Sequence, residues 1–315
     1  MRCYLAGHTG LVGSALLRGW ADRPEIEWLT ATRRELDLTD GLAVTRWLAS
    51  VKPDAVIMAA GHVGGIAANT QAPAQFIYDN LMIEANLIHA TWKSGARRLI
   101  NFGSACMYPH ECAQPMSPSR LMTGILEPTS EPYAMAKLAG WSMCAAYNRQ
   151  YGTEFITVIP CTLYGPGDSF GLESHVISAL LRKFHDAKAH GRREVTLWGT
   201  GAPRREFLFA DDVAEACELV LKRYTGEAPV NIGAGGAISI RHVAQLAAEI
   251  VGFEGTLHWD VSQPDGAPMK LLDSSMLRAL GWSPRTSLRD GMAKTYAWFL
   301  EHEPVVQQET SCASS

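Results

Sequence analysis

Gly7-His8-Thr9-Gly10-Leu11-Val12-Gly13 decides the fold. It follows a short apolar run, Arg2-Cys3-Tyr4-Leu5-Ala6, and opens a segment of helical period from Leu11 to Trp20. Glycines at such a junction permit a tight turn and let the backbone approach a pyrophosphate. The free N–H groups of the helix start then attract its charge. With 28 glycines in 315 residues, a Gly-x-x-Gly-x-x-Gly arises by chance about 0.2 times. Its place behind a first strand therefore carries most of the weight. Further strand-like runs stand at Trp28–Thr32, Asp54–Ala60, Arg98–Phe102 and Phe155–Pro160. They alternate with helical patterns at Leu42–Ser50, Ile83–Ser94 and Pro132–Tyr151. Such alternation requires right-handed crossovers and a parallel sheet. The continuously apolar third run suits a strand covered on both faces.

After Tyr164-Gly165-Pro166-Gly167 the pattern loosens. Helices are expected at 174–190, 211–221, 240–251 and 288–301, and strands at 194–198 and 230–233. The expected fold is α/β, a Rossmann-type doubly wound parallel sheet with a smaller C-terminal substrate-binding domain. Residues 1–161 with roughly 206–236 would form the cofactor domain. Residues 162–205 with roughly 237–303 would form the substrate domain, and 304–315 a frayed tail.

Composition narrows the function. Lys plus Arg number 28 against 32 Asp plus Glu, a net charge of −4. That balance argues against nucleic acid as a partner, since phosphate affinity needs clustered excess cations. No run of about 18 uncharged apolar residues offers a membrane span. The N-terminus lacks the charged-then-apolar layout of a secretory signal. Seven cysteines, at 3, 106, 112, 144, 161, 217 and 312, show neither Cys-x-x-Cys nor zinc spacing. Reduced thiols in a cytoplasmic protein are expected.

Cofactor choice is read at the end of the second strand. NAD-binding folds of this type often place an acid there for the ribose 2′-hydroxyl. Here stands Thr32-Arg33-Arg34-Glu35. Arg33 is suited to meet a 2′-phosphate or to stack on adenine, so NADP(H) is expected over NAD(H). Asp37 and Leu38 would border the adenine.

Tyr133 and Lys137 are spaced i, i+4 on one helix face. A phenol titrates near 10, too high for exchange at neutral pH, and a nearby ammonium favours its ionised form. Ser104, in Gly103-Ser104-Ala105-Cys106, follows the fourth strand, where strand ends face the ligand crevice of a parallel sheet. It is placed to hydrogen-bond a carbonyl undergoing reduction. With Tyr133 and Ser104 to polarise that carbonyl, no metal is needed.

Together these residues resemble the extended short-chain dehydrogenase/reductases, and among them the GDP-L-fucose synthases. The resemblance runs from Leu5 to about Glu301. Its most specific stretches include Val63-Gly64-Gly65-Ile66, Gly103 to Pro109, Tyr147-Asn148-Arg149-Gln150-Tyr151-Gly152, Ser174-His175-Val176-Ile177, Arg204-Arg205-Glu206-Phe207-Leu208 and Pro264-Asp265-Gly266. It implies an NADPH-dependent epimerase/reductase acting on a GDP-4-keto sugar, in a homodimer built through the helices around Ile83–Ser94 and Pro132–Tyr151. The 4-keto group acidifies the protons on C3 and C5; Cys106 would remove them and His175 would act as the paired acid. A thiol near 8.5 and an imidazole near 6.5 both exchange protons at neutral pH. The resemblance places Ala60, Lys137, Pro160, Thr162, Leu163 and His175 on the cofactor. It places Asn69, Lys183, Trp198, Arg205, Asp265 and Lys270 on the substrate. Lys183 and Arg205 would meet the diphosphate, Trp198 the nucleoside, and Asp265 a base or ribose donor.

Four departures stand out: Thr9 and His62 replace the family's frequent Arg and Lys, Thr162 replaces its usual Asn, and Ser169-Phe170-Gly171-Leu172-Glu173 is a shortened approach to His175. They leave open a C4-reductase of a GDP-4-keto deoxysugar or heptose with partial or no epimerisation. A non-catalytic cofactor-binding scaffold would need no such set of Ser104, Cys106, Tyr133, Lys137 and His175.

Overall fold

The computed structural model describes residues 1–171, 174–263 and 265–302. The expected tail at 304–315, Leu172 and Glu173 of the shortened loop, and Pro264 lie outside the described residues.

The chain runs β1 (Arg2–Ala6), α1 (Leu11–Gly19), β2 (Glu27–Leu29), α2 (Gly41–Val51), β3 (Ala55–Met58), α3 (Ile66–Gln71), α4 (Pro73–Lys93), β4 (Arg98–Phe102), α5 (Glu131–Tyr151) and β5 (Glu154–Pro160). Then come β6 (Thr162–Tyr164), α6 (Val176–Ala189), β7 (Glu194–Trp198), β8 (Arg204–Arg205), β9 (Phe207–Phe209), α7 (Asp212–Arg223) and β10 (Val230–Ile232). The last elements are β11 (Ile238–Ser239), α8 (Ile240–Val251), β12 (Thr256–Asp260), β13 (Met269–Lys270), α9 (Ser275–Ala279) and α10 (Leu288–His302).

Six strands make one sheet in the order β10-β5-β4-β3-β1-β2, with every neighbour parallel. The expected Rossmann-type sheet is what the chain builds. The order reverses at β1, which pairs β2 on one side and β3 on the other. That switch point opens a crevice beyond the strand ends. Cys3 and Leu5 of β1 face one core, and Tyr4 and Ala6 face the other, as a strand covered by helices on both faces requires.

Two of the expected elements differ by three or more residues at one end. The second strand stops at Leu29 rather than Thr32, because its pairing with β1 ends at Tyr4. The backbone then turns, with Glu35 and Leu36 N–H donating to the Thr32 carbonyl. The helix expected at Ile83–Ser94 begins ten residues earlier, at Pro73, where proline's fixed φ suits a first turn. Its apolar period is broken because its inner face buries Asp79, Asn80, Glu84 and Thr91.

A second core gathers α6, α8, α10 and the strands β7 and β9. There β7 pairs β12, β8 lies between β11 and β13, and β6 pairs β9. The chain returns to the first core through α7, β10 and the segment holding Leu272, Leu277 and Trp282. Glu206, buried between β8 and β9, binds these crossings together: its carboxylate accepts from Gly235 N at 2.7 Å and Leu272 N at 2.9 Å.

Helices α4 and α5 pack closely because Gly140 of α5 has no side chain. A Cβ there would overlap the Glu84 carboxylate. Helix propensity alone favours Ala over Gly by about 1 kcal/mol. Overpacking a filled site costs on the order of 1–3 kcal/mol, so Gly140→Ala is expected to lower the melting temperature by several degrees. Thermal unfolding followed by circular dichroism checks the sign.

Candidate active site

The glycine turn is built for close approach. Gly7 has φ +82°, and a Cβ on it would lie 2.6 Å from Ala60 N. A Cβ on Gly13 would collide with the Gly7 carbonyl, whereas Gly10 has room. Two of the three glycines are thus sterically required. No side chain caps the start of α1, so its first amides are free for an anion. Beside this turn a cavity of about 320 Å³ is lined by Gly7, His8, Thr9, Arg33, Asp37, Leu38 and Ala60, together with His62 and Asp79. His8 Nδ1 is buried there without a partner. The exposed Arg33 guanidinium reaches Asp37 with its charge, and no hydrogen bond holds it among the described residues. A dinucleotide phosphate at the α1 start and a 2′-phosphate at Arg33 both fit these groups. Asp37 accepts from Thr39 N and Oγ1 at 2.9 and 2.7 Å, bonds that lower its pKa. Pro160 and Thr162 sit at the end of β5 and the start of β6, with Leu163 next in β6. None of the three lines this cavity.

Four predicted catalytic residues meet at the end of β4. Tyr133 is 9% exposed, and Cys106 packs against the cluster it forms with Ala68 and Phe76. The Ser104 hydroxyl accepts from Cys106 N at 3.2 Å and lowers the Tyr133 pKa by hydrogen bonding. Burial outweighs this, and outweighs the Lys137 charge, so the phenol lies above its ordinary value. Proximity of the lysine alone does not produce a phenolate here. Instead Tyr133 is held as a proton donor.

Lys137 is equally buried, and its Nζ donates to Glu84 Oε1 at 2.6 Å. Burial pulls the ammonium's pKa down, but the Glu84 charge and the Tyr133 phenol drive it above the usual lysine value. The Glu84 carboxylate of this pair is also hydrogen-bonded by Asn101. Breaking such a pair is costly because it strands an uncompensated buried charge.

His175 stands immediately before α6. Its Nδ1 lies 3.2 Å from Asp168 Oδ1. That hydrogen bond raises its pKa against the effect of burial. The loop leading to it rests on α1, where a Cβ on Gly167 would lie 2.6 Å from Ser14 Oγ. Arg18 of α1 also donates to the Pro166 carbonyl at 3.1 Å.

The substrate candidates divide into two groups. Asn69 sits with the catalytic cluster, donating to the Gly64 and Gly65 carbonyls at 2.9 and 3.0 Å, and its buried Oδ1 is unpartnered. The others gather in the second lobe. Lys183 Nζ donates to Thr196 O at 2.6 Å; burial lowers its pKa. Trp198 is 72% exposed. Asp265 accepts from Thr200 N and Oγ1 at 2.7 and 2.5 Å, and a Cβ on Gly199, next to Trp198, would strike it. Arg205 donates to Ala267 O at 2.6 Å, and Lys270 is its register partner across β8 and β13.

Sequence reading missed Glu84, Asp168, and the His62–Asp79 pair at 3.0 Å. It also missed Asn80, which grips both the N–H and the C=O of His62. The available signal was Asn80 and Glu84, four apart on a helix whose buried face is polar. Asp168 gave none, because its partner lies seven residues away across a loop.

The family model described as the NAD dependent epimerase/dehydratase family matches residues 3–233. GDP-L-fucose synthase 1 of Arabidopsis thaliana is 49% identical over 302 residues, covering 96% of this chain and 94% of that protein. A solved GDP-6-OMe-4-keto-L-xylo-heptose reductase from C. jejuni is 34% identical, with a TM-score of 0.89 over 96% of this chain and 98% of that one. A Naegleria fowleri GDP-L-fucose synthetase bound to NADP is 26% identical, with a TM-score of 0.88 over 95% and 94%. The chain belongs to the NAD dependent epimerase/dehydratase family, on its GDP-L-fucose synthase branch.

Proposed function

We propose that this chain converts GDP-4-keto-6-deoxy-D-mannose to GDP-L-fucose, epimerising C3 and C5 and then reducing C4 with NADPH. The observation that carries this reading is the juxtaposition of Cys106 and Ser104 with the buried Tyr133 and Lys137. NADPH, when bound, supplies the hydride for C4. The 4-keto group makes the protons on C3 and C5 acidic; at each carbon in turn Cys106 removes one proton and His175 returns one to the opposite face, the two groups exchanging their protons with solvent between rounds. Ser104 and Tyr133 hydrogen-bond the ketone oxygen, which holds the negative charge while each carbon is deprotonated. A phenol whose pKa is raised arrives protonated, so Tyr133 can deliver its proton to the alkoxide formed on reduction. The Lys137 ammonium, fixed by Glu84, stabilises the phenolate left behind.

Substrate anchoring follows the second-lobe group. Lys183 and Arg205 take the diphosphate, Trp198 stacks on the nucleoside, and Asp265 and Lys270 meet its polar edges. Asn69 and Val63-Gly64-Gly65 border the sugar. Thr162 and Leu163, with Pro160, complete the cofactor wall. Residues 1–161 with 206–236 act as the cofactor lobe and 162–205 with 237–303 as the substrate lobe, the segment 272–282 packing back on the first core. We read the protein as cytoplasmic, on the sequence ground of seven cysteines scattered without a pairing pattern, and as a homodimer. Support for the dimer comes from exposed Tyr78, Met135 and Tyr151 on α4 and α5, beside the stack of Trp92 on Tyr151 at 4.3 Å.

A second reading is a GDP-4-keto-sugar C4-reductase with little epimerase activity. What favours it is His62 in the cavity wall, braced by Asp79. Incubation with GDP-4-keto-6-deoxy-D-mannose and NADPH in deuterated water separates the two. Two deuterons in the product with NADPH consumed is the expected outcome; fewer deuterons select the reductase, and no NADPH consumption removes the substrate assignment.

Cys106→Ser is expected to slow deuterium incorporation at least about 100-fold while NADPH affinity stays unchanged. Arg33→Ala is expected to weaken NADPH binding about 10- to 100-fold, the value of a hydrogen bond to a charged group, with NADH little affected; fluorescence titration of both cofactors checks this. Tyr151→Asp is expected to shift the protein toward monomer in light scattering, since a carboxylate at an apolar interface is costly to desolvate.

A further inference from the structure

Asp168 lies in the loop between β6 and α6, and its side chain is only 3% exposed beside a His175 side chain that is 38% exposed. Both carboxylate oxygens are engaged. Oδ1 accepts from Ser169 N at 2.9 Å and faces His175 Nδ1 at 3.2 Å, and Oδ2 accepts from Ser178 Oγ at 2.5 Å. Ionised, the carboxylate can only accept, so the proton of this contact sits on Nδ1. That leaves Nε2 as the nitrogen able to give a proton away.

We propose that Asp168 is the positioning residue of the epimerisation step, orienting His175 through Nδ1 so that Nε2 serves as the proton donor. The proposal rests on reading His175 as the acid of the proposed reaction. Asp168 touches neither sugar nor cofactor in this scheme and works through the imidazole alone.

The electrostatic setting requires such a partner. His175 sits at the amino end of α6, whose dipole and free amides disfavour an imidazolium. Burial disfavours it too, yet the hydrogen bond and charge of Asp168 outweigh burial and hold the imidazole above its ordinary value. No other group does this among the described residues. On α6 the first charged side chains are Arg182, paired with Asp186, and Lys183, held by Thr196 O. On α1, beneath the loop, Arg18 is paired with Asp211. A histidine whose pKa is raised stays charged below that pKa and loses its proton as pH rises through it. Proton return should therefore fail on the alkaline side, and fail earlier without Asp168.

The test measures deuterium exchange into GDP-4-keto-6-deoxy-D-mannose by the full-length protein without NADPH, from acid to alkaline pH. Asp168→Asn keeps the size of the side chain and removes its charge. It is expected to slow exchange about tenfold at neutral pH and to move the alkaline limb down by about one pH unit, with NADPH affinity unchanged. Asp168→Glu should restore part of the limb. Ser178→Ala removes the brace on Oδ2 but not the contact to His175, and should leave the limb in place. An unmoved limb in Asp168→Asn, or an equal shift in Ser178→Ala, overturns the proposal while the epimerase reading stands. Absence of exchange by the unmodified protein overturns both. Should Asp168→Asn not fold, proton resonances of the unmodified protein decide, with His175 assigned by its loss in His175→Gln. Its titration midpoint must lie above 6.5, the ordinary imidazole value; a midpoint below that sinks the proposal.

Discussion

Everything in the reactive half of the molecule depends on one buried ion pair, Lys137 with Glu84. It joins α5 to α4 and lies under Tyr133. An ammonium this deep would shed its proton without an opposing charge, and with it the means of stabilising a phenolate. Glu84 supplies that charge, Asn101 stabilises the carboxylate further, and the missing side chain of Gly140 gives the carboxylate its space. Helix spacing, core packing and proton inventory are thus set by the same few atoms.

The sheet was legible in the sequence because its determinants are local. Apolar runs of strand length, a glycine turn with two glycines of fixed necessity, and helices between them leave little choice of topology. Tyr133, Lys137 and Ser104 were legible for a related reason: each stands at a strand end or within one helical turn of another, whereas Cys106 and His175 were legible only through the family resemblance. Burial was not legible. An i, i+4 lysine suggested a lowered tyrosine pKa, whereas the folded site raises it because desolvation is a three-dimensional quantity.

Polar residues on inward faces account for most of what was missed. The helix α4 was read ten residues short because Asp79 and Asn80 interrupt its apolar stripe. Those interruptions hold His62, and Glu84 one turn further on holds Lys137. Where local pattern fails in an otherwise consistent sequence, a functional demand is the expected cause. The substrate lobe was harder for another reason. Its two-residue strands β8, β11 and β13 exist only through pairing with distant segments.

Three of the buried atoms left without hydrogen-bond partners are His8 Nδ1, Asn69 Oδ1 and Asn101 Oδ1. All three border the cradle or the reactive cluster. Each is a debt against folding of the kind that apolar replacement would cancel. A program of consensus or core redesign aimed only at heat tolerance would select these positions first, and its best products would be hardier proteins without chemistry. The same slope is open to natural drift: once selection for turnover relaxes, a sturdier, silent descendant lies a few substitutions away.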